Sequence, residues 1–160
     1  MTVITLADIV QAVQDGNGPV AAQHLLELTG ARATGLWKLD GESLHQLGFT
    51  TVPEMHAATR AEFAALTRTV PLSHDGLGIV QAVLKREPVM ARRHQGPMSL
   101  GTSATWLDRF DAACSLSYPC FSESGTVTGI VALAHVEVID ETHPAWQSLQ
   151  ELAALLGPQL

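Results

Sequence analysis

Residues 114–135, CSLSYPCFSESGTVTGIVALAH, constrain the fold more than any other part of the chain. Two apolar runs, CSLSYPCF and TVTGIVALAH, flank the polar stretch SESG. Two apolar runs of this length joined by a polar, Gly-containing turn read as an antiparallel hairpin. A second pair lies earlier. Gly35–Leu39 and Ser43–Phe49 flank Asp40-Gly41, a dipeptide suited to a tight turn. Alternation places Leu44, Gln46 and Gly48 on one side and His45, Leu47 and Phe49 on the other. A lone strand is expected near residues 88–91, and a short extended piece near 70–72.

Helical patterns surround these strands. The first helix is expected over Leu6–Gln14, with Ile4, Ala7, Val10 and Gln11 on one side and Ile9 and Val13 beside them. The segment DGNGP interrupts it, and a second helix follows Pro19 and stops at Gly30. Residues 1–30 thus form an N-terminal helical arm. Pro53 suits the first turn of a third helix whose buried side is expected to hold Met55, Ala58, Phe63 and Leu66. Short helices are expected near Leu77–Lys85 and over TWLDRFDAA. The last segment, residues 140–157, is amphipathic: Trp146, Leu149, Leu152, Ala153 and Leu156 recur at spacings of three and four. Thr142 or Asp140 is its expected cap. No repeat or linker divides the chain, so residues 1–160 read as a single α+β domain. Its antiparallel sheet carries the terminal helices on one face and the shorter helices on the other.

Composition narrows the function. Hydrophobic residues make up 46% of the chain and charged residues 16%, which fits a folded domain and not a disordered one. The net charge of −7 argues against binding a nucleic-acid backbone. The N-terminus has neither a basic n-region nor an uninterrupted apolar span. A cytoplasmic protein with reduced thiols is therefore expected, either whole or as the sensor portion of a longer chain.

The stretches GARATGLWKLDGESLHQL, VPLSHDGLGIVQAVLKREPVMA, SLSYPCFSESGTVTGIVALAHV and IDETHPAWQSLQELAALLGPQL together resemble a GAF domain. This PAS-related family comprises small-molecule sensor and regulatory modules. The resemblance runs through nearly the whole chain from Leu6. It implies a sheet of five or six strands, terminal helices that pair with a second subunit or an output domain, and a pocket on the other face. The pocket wall would come from Met55–Leu66, Leu77–Val83 and Met98–Phe110.

The candidate ligand-binding residues are Phe63, Met90, Arg92, Arg93, His94, Met98, Ser99, Trp106, Phe110 and Tyr118. Thr102 and Ser103 would add polar groups to an apolar cavity. Arg92 and Arg93 offer guanidinium forks for a planar anion. His94 beside them is the histidine best placed for an anion or a haem. The turn DGLG at Asp75–Gly78 could present amides to an anion. The candidate dimer contacts are Ile9, Val13, Trp146, Leu149, Leu152 and Leu156.

Other chemistries find less support. Bilin-binding members carry Cys followed by His or Tyr, whereas Cys114 precedes Ser115 and Cys120 precedes Phe121. Cyclic-nucleotide members carry an Asn-Lys pair at the end of the last strand, where this chain has Ala134, His135 and Val136. The reductases of this fold, which act on methionine sulfoxide, need more cysteines at wider spacings. Cys114 and Cys120 read as buried apolar residues, too far apart along one strand to bridge. The seven histidines lack the i,i+4 or HxH spacing of a metal site. No metal, haem or bilin motif is legible, and no catalytic residue is assigned. The expected function is that of a non-catalytic sensor acting as a homodimer. A ligand-free dimerisation scaffold and a cysteine-dependent redox enzyme are the alternatives.

Overall fold

A computed structural model describes residues 3–93 and 101–160. The N-terminal helices are α1 (Leu6–Gln14) and α2 (Gly18–Thr29). The first hairpin is β1 (Ala33–Asp40) and β2 (Ser43–Thr51), followed by α3 (Ala57–Leu66), β3 (Thr69–Pro71), α4 (Gly78–Lys85) and β4 (Val89–Arg92). Then come α5 (Gly101–Phe110), the second hairpin of β5 (Cys114–Phe121) and β6 (Val127–His135), and α6 (Pro144–Leu156). The strands form one antiparallel sheet in the order β3-β2-β1-β6-β5-β4. The two sequence-local hairpins thus meet through β1 and β6 at its centre.

Local chemistry explains the element ends. Thr5 and Asp8 make a reciprocal capping box at the start of α1. Asn17 accepts from the Val20 amide at the start of α2, and Gly30 ends that helix in the left-handed conformation. The cap of α6 is His143, whose Nδ1 accepts from the Ala145 amide at 3.0 Å. Asp140, expected as the cap, instead closes the preceding turn by accepting from the amide and hydroxyl of Thr142.

The sheet separates two apolar layers. Under α1, α2 and α6 lie Ile9, Leu25, Leu36, Cys114, Leu116, Val131, Leu149, Leu152 and Leu156. On the opposite face lie Trp37, Leu44, Phe63, Val70, Val80, Leu107 and Ile130, covered by α3, α4 and α5. Each large aliphatic side chain fully buried here contributes roughly 1.5–3 kcal/mol.

Four expectations need correction. In β2 the register against β1 shifts between Leu36 and Trp37, leaving Leu47 without a partner. This bulge turns both Leu47 and Gly48 toward the terminal helices, so Phe49 shares a face with Leu44. In α1, Ala7 and Gln11 are exposed, while Ile9 and Ala12 are buried. In α3, Ala58 and Leu66 are exposed, and the buried line is Thr59, Phe63 and Thr67. Thr67 is satisfied in place: its hydroxyl donates to the Phe63 carbonyl at 2.8 Å. Finally, Ile9, Leu149, Leu152 and Leu156 are 0% exposed within a single chain. They pack against the chain's own sheet and are not available to a second subunit. Of the proposed dimer contacts, only Val13 and Trp146 reach the surface in part.

Candidate functional site

The face opposite the terminal helices holds a cavity between the sheet and α3, α4 and α5. Strand alternation sets its floor. Cys114, Leu116 and Cys120 point to the terminal helices, so Ser115 and Ser117 point the other way, beside Ala132 and Ala134 of β6. Trp37 of β1 lies on the same side. Its indole N–H donates to the Thr67 carbonyl at 2.8 Å, which ties the floor to the end of α3. A Cβ on Gly35 would sit 2.3 Å from the Trp37 ring, so glycine there lets the indole lie flat on the strand.

One wall is aromatic. Phe63 is its centre, with ring centroids 5.0 Å from Phe49, 4.9 Å from Trp106 and 5.0 Å from Phe110. The contacts with Trp106 and Phe110 are edge-to-face, the arrangement the ring quadrupoles favour. Arg109 clasps this wall from outside. Its guanidinium lies 4.4 Å from the Trp106 ring centroid and pairs with Glu62 of α3.

The facing wall is small and polar. Ser103 of α5 accepts from the Gly78 amide at 2.8 Å, so a side chain from a neighbouring helix caps α4. A Cβ on Gly78 would stand 3.2 Å from the Ser117 hydroxyl. Glycine at this position keeps the gap between α4 and β5 open. The cavity volume is about 50 Å³, room for a few waters or a group of a few heavy atoms. Among the described residues that line it, none is charged.

Several expected site residues stand elsewhere. Phe63, Trp106 and Phe110 line the cavity. Met90 and Tyr118 do not, because each has the strand parity of Leu116 and packs toward the terminal helices. Tyr118 meets Trp146 of α6 edge-on at 6.5 Å. Arg92 pairs in register with Cys114, so it too belongs to that face, exposed at the sheet edge. Arg93 is engaged by Asp108 at 2.7 Å and Asp111 at 3.2 Å. The expected anion cradle at Asp75–Gly78 is also altered, since its Gly78 amide is taken by Ser103. His94, Met98 and Ser99 lie outside the described residues. Phe49, Ser115 and Ser117 join the site without having been named for it. The alternation of CSLSYPC already separates the serines from the cysteines. Phe49 was hidden by the bulge.

Known structures provide the frame for this geometry. A GAF domain from an Acinetobacter phosphoenolpyruvate-protein phosphotransferase superposes with a TM-score of 0.63 at 15% identity, covering 98% of this chain and 92% of that one. The phycoerythrobilin-bound GAF domain of a cyanobacterial phytochrome gives 0.64 at 11%, covering 99% and 96%. The chain has a GAF fold. The free methionine-R-sulfoxide reductase of Neisseria meningitidis, solved with its substrate, also shares it: TM-score 0.62 at 21% identity, covering 95% and 83%. At these identities the likeness establishes fold alone. No protein-family profile and no curated protein matches the sequence. No helix among the described residues is long and apolar enough to cross a membrane.

Because reductases share this fold, the position of the cysteines matters. Cys114 and Cys120 are each 0% exposed and lie on the face away from the cavity. Burial pushes the Cys120 thiol up to about 12. Burial also raises Cys114, against the smaller opposing effect of nearby backbone groups. Thiols held protonated are poor nucleophiles. Both cysteines are therefore expected to resist a thiol reagent at neutral pH in the native protein and to react fully in denaturant. Rapid native labelling of either, read by mass spectrometry, would contradict this placement.

Proposed function

We propose that this GAF-fold domain is a non-catalytic sensor that binds a small, uncharged, largely apolar molecule in the cavity and reports it through its terminal helices. The observation that carries this reading is the lining: an aromatic wall facing the hydroxyls of Ser103, Ser115 and Ser117, with no charged side chain among the described lining residues. Stacking and apolar burial would supply affinity, and the hydroxyls would orient one or two polar atoms of the ligand. An anionic ligand would lose hydration there without gaining a counter-charge from the described lining residues.

Strand β5 supplies the route to the helices. Ser115 and Ser117 face the cavity, while their neighbours Leu116 and Tyr118 pack toward the terminal helices. A ligand that shifts β5 therefore moves the surface on which α6 rests. Such a signal needs the ligand to prefer one of two positions of that strand. The cysteine-dependent alternative is disfavoured because neither thiol reaches the cavity.

Thermal-shift and native mass-spectrometry screens with small uncharged fragments of a few heavy atoms test this reading. A fragment at about a hundred times its Kd is expected to stabilise the fold by about 2.7 kcal/mol. Ser115 is half-buried and lines the cavity, so Ser115→Phe is expected to weaken binding at least tenfold. Failure of every such fragment, or equal binding by Ser115→Phe, would remove the proposal.

A further inference from the structure

The connection between β6 and α6 brings together side chains that sequence spacing leaves apart. One ring nitrogen of His135, one of His143 and a carboxylate oxygen of Glu137 all lie within 4.8 Å of one another. His143 Nε2 stands 3.0 Å from Glu137 Oε1. The rings of His135 and His143 meet at 70° with centroids 5.2 Å apart. We propose that His135, Glu137 and His143 form a binding site for a divalent transition-metal ion of zinc-like preference.

The donor set selects the class of ion. Two imidazoles with one carboxylate suit zinc, cobalt, nickel or copper, whereas magnesium and calcium take all-oxygen shells. Tetrahedral zinc with bonds of about 2.0–2.1 Å places neighbouring donors about 3.3 Å apart. The His143–Glu137 pair is already near that spacing at 3.0 Å, and all three donors lie within 4.8 Å. The burial is graded in a useful way: His135 is buried, His143 half-buried and Glu137 exposed. The ion would thus rest on a fixed ligand and be reached from solvent, with a water completing four-coordination.

The site is coupled to α6 through one ring. His143 Nδ1 accepts from the Ala145 amide, so the neutral ring carries its proton on Nε2. A metal at Nε2 needs the in-plane lone pair of that nitrogen, so the ring proton leaves Nε2 to solvent and Nδ1 takes one up in its place. There it opposes the Ala145 N–H. Metal binding therefore releases the cap of α6 while gathering the end of β6 toward it. This consequence is independent of the cavity and of any ligand there.

Cobalt(II), added to the purified protein, is the probe. One ion per chain is expected to bind, giving the visible bands of a four-coordinate centre that zinc bleaches and magnesium does not. Glu137→Gln with His143→Asn keeps an N-cap side chain and removes two donors. This variant is expected to retain the wild-type circular dichroism, lose the bands and bind cobalt at least tenfold more weakly. Hydrogen exchange at the Ala145 amide is expected to quicken when wild type is loaded. Absence of the bands, equal binding by the double variant, or displacement by magnesium would overturn the site. Unchanged exchange at Ala145 would overturn the assignment of His143 Nε2.

Discussion

Leu152→Ala is expected to lower the unfolding free energy by about 2–5 kcal/mol and to leave the association state unchanged. The side chain is 0% exposed and lies in the layer between α6 and the sheet, with Leu116, Val131 and Leu149. Truncation leaves a hole lined by a rigid sheet and a helix fixed at its start by the His143 cap. The site cannot collapse around the smaller side chain without moving α6. Urea denaturation gives the loss of stability, and sedimentation gives the association state. Leu155, one turn-face away, is 48% exposed, and Leu155→Ala is expected to change stability by no more than about 0.5 kcal/mol. The pair separates two readings of one amphipathic stripe. If the stripe were a subunit interface, Leu152→Ala would dissociate a dimer and leave the monomer's own stability intact.

That ambiguity marks the limit of what periodicity conveys. Spacing at three and four identifies the apolar side of α6 but not what covers it, since a sheet and a second subunit offer the same apolar surface. The hairpins were more legible, because the run lengths and polar turns fix both partners within a short stretch. Their long-range union was not. Pairing of β1 with β6 joins residues nearly a hundred positions apart, and no local pattern specifies it. The bulge at Leu47 left no local trace, so the faces assigned to Gly48 and Phe49 were reversed. Met90, Arg92 and Tyr118 are candidates for the cavity by side-chain type and by the family resemblance, whereas their strand parity sends them to the other face. For Tyr118 the parity was already visible beside Cys114 and Cys120. His135, Glu137 and His143 escaped notice because a turn, not a helical or strand period, brings them together.

Gly18→Ala is expected to destabilise the fold by about 3 kcal/mol, the upper end of overpacking costs. Its ideal Cβ would fall 1.6 Å from the Leu47 carbonyl oxygen, and one on Gly48 would fall 2.1 Å from the Gly18 carbonyl oxygen. Backbone thus meets backbone where α2 starts on the bulged part of β2, and no flexible side chain can yield. Relief requires lifting α2 from the sheet, which uncovers Ala21, Ala22 and Leu25 on its buried side. Two other glycines calibrate the effect. Gly41 has open space but φ of 62°, so Gly41→Ala is expected to cost about 1–2 kcal/mol from the left-handed conformation alone. Gly101 has no positive φ and, among the described residues, nothing that would crowd a Cβ, and Gly101→Ala is expected to fall within about 0.5 kcal/mol of wild type. Chemical denaturation of the three variants should rank them in that order. A Gly18→Ala protein as stable as Gly41→Ala would mean that α2 stands farther from β2 than this packing requires. Because the contact lies on the terminal-helix face, the cavity lining is untouched. The folded fraction of Gly18→Ala is therefore expected to bind an uncharged fragment with wild-type affinity, which separates loss of fold from loss of site.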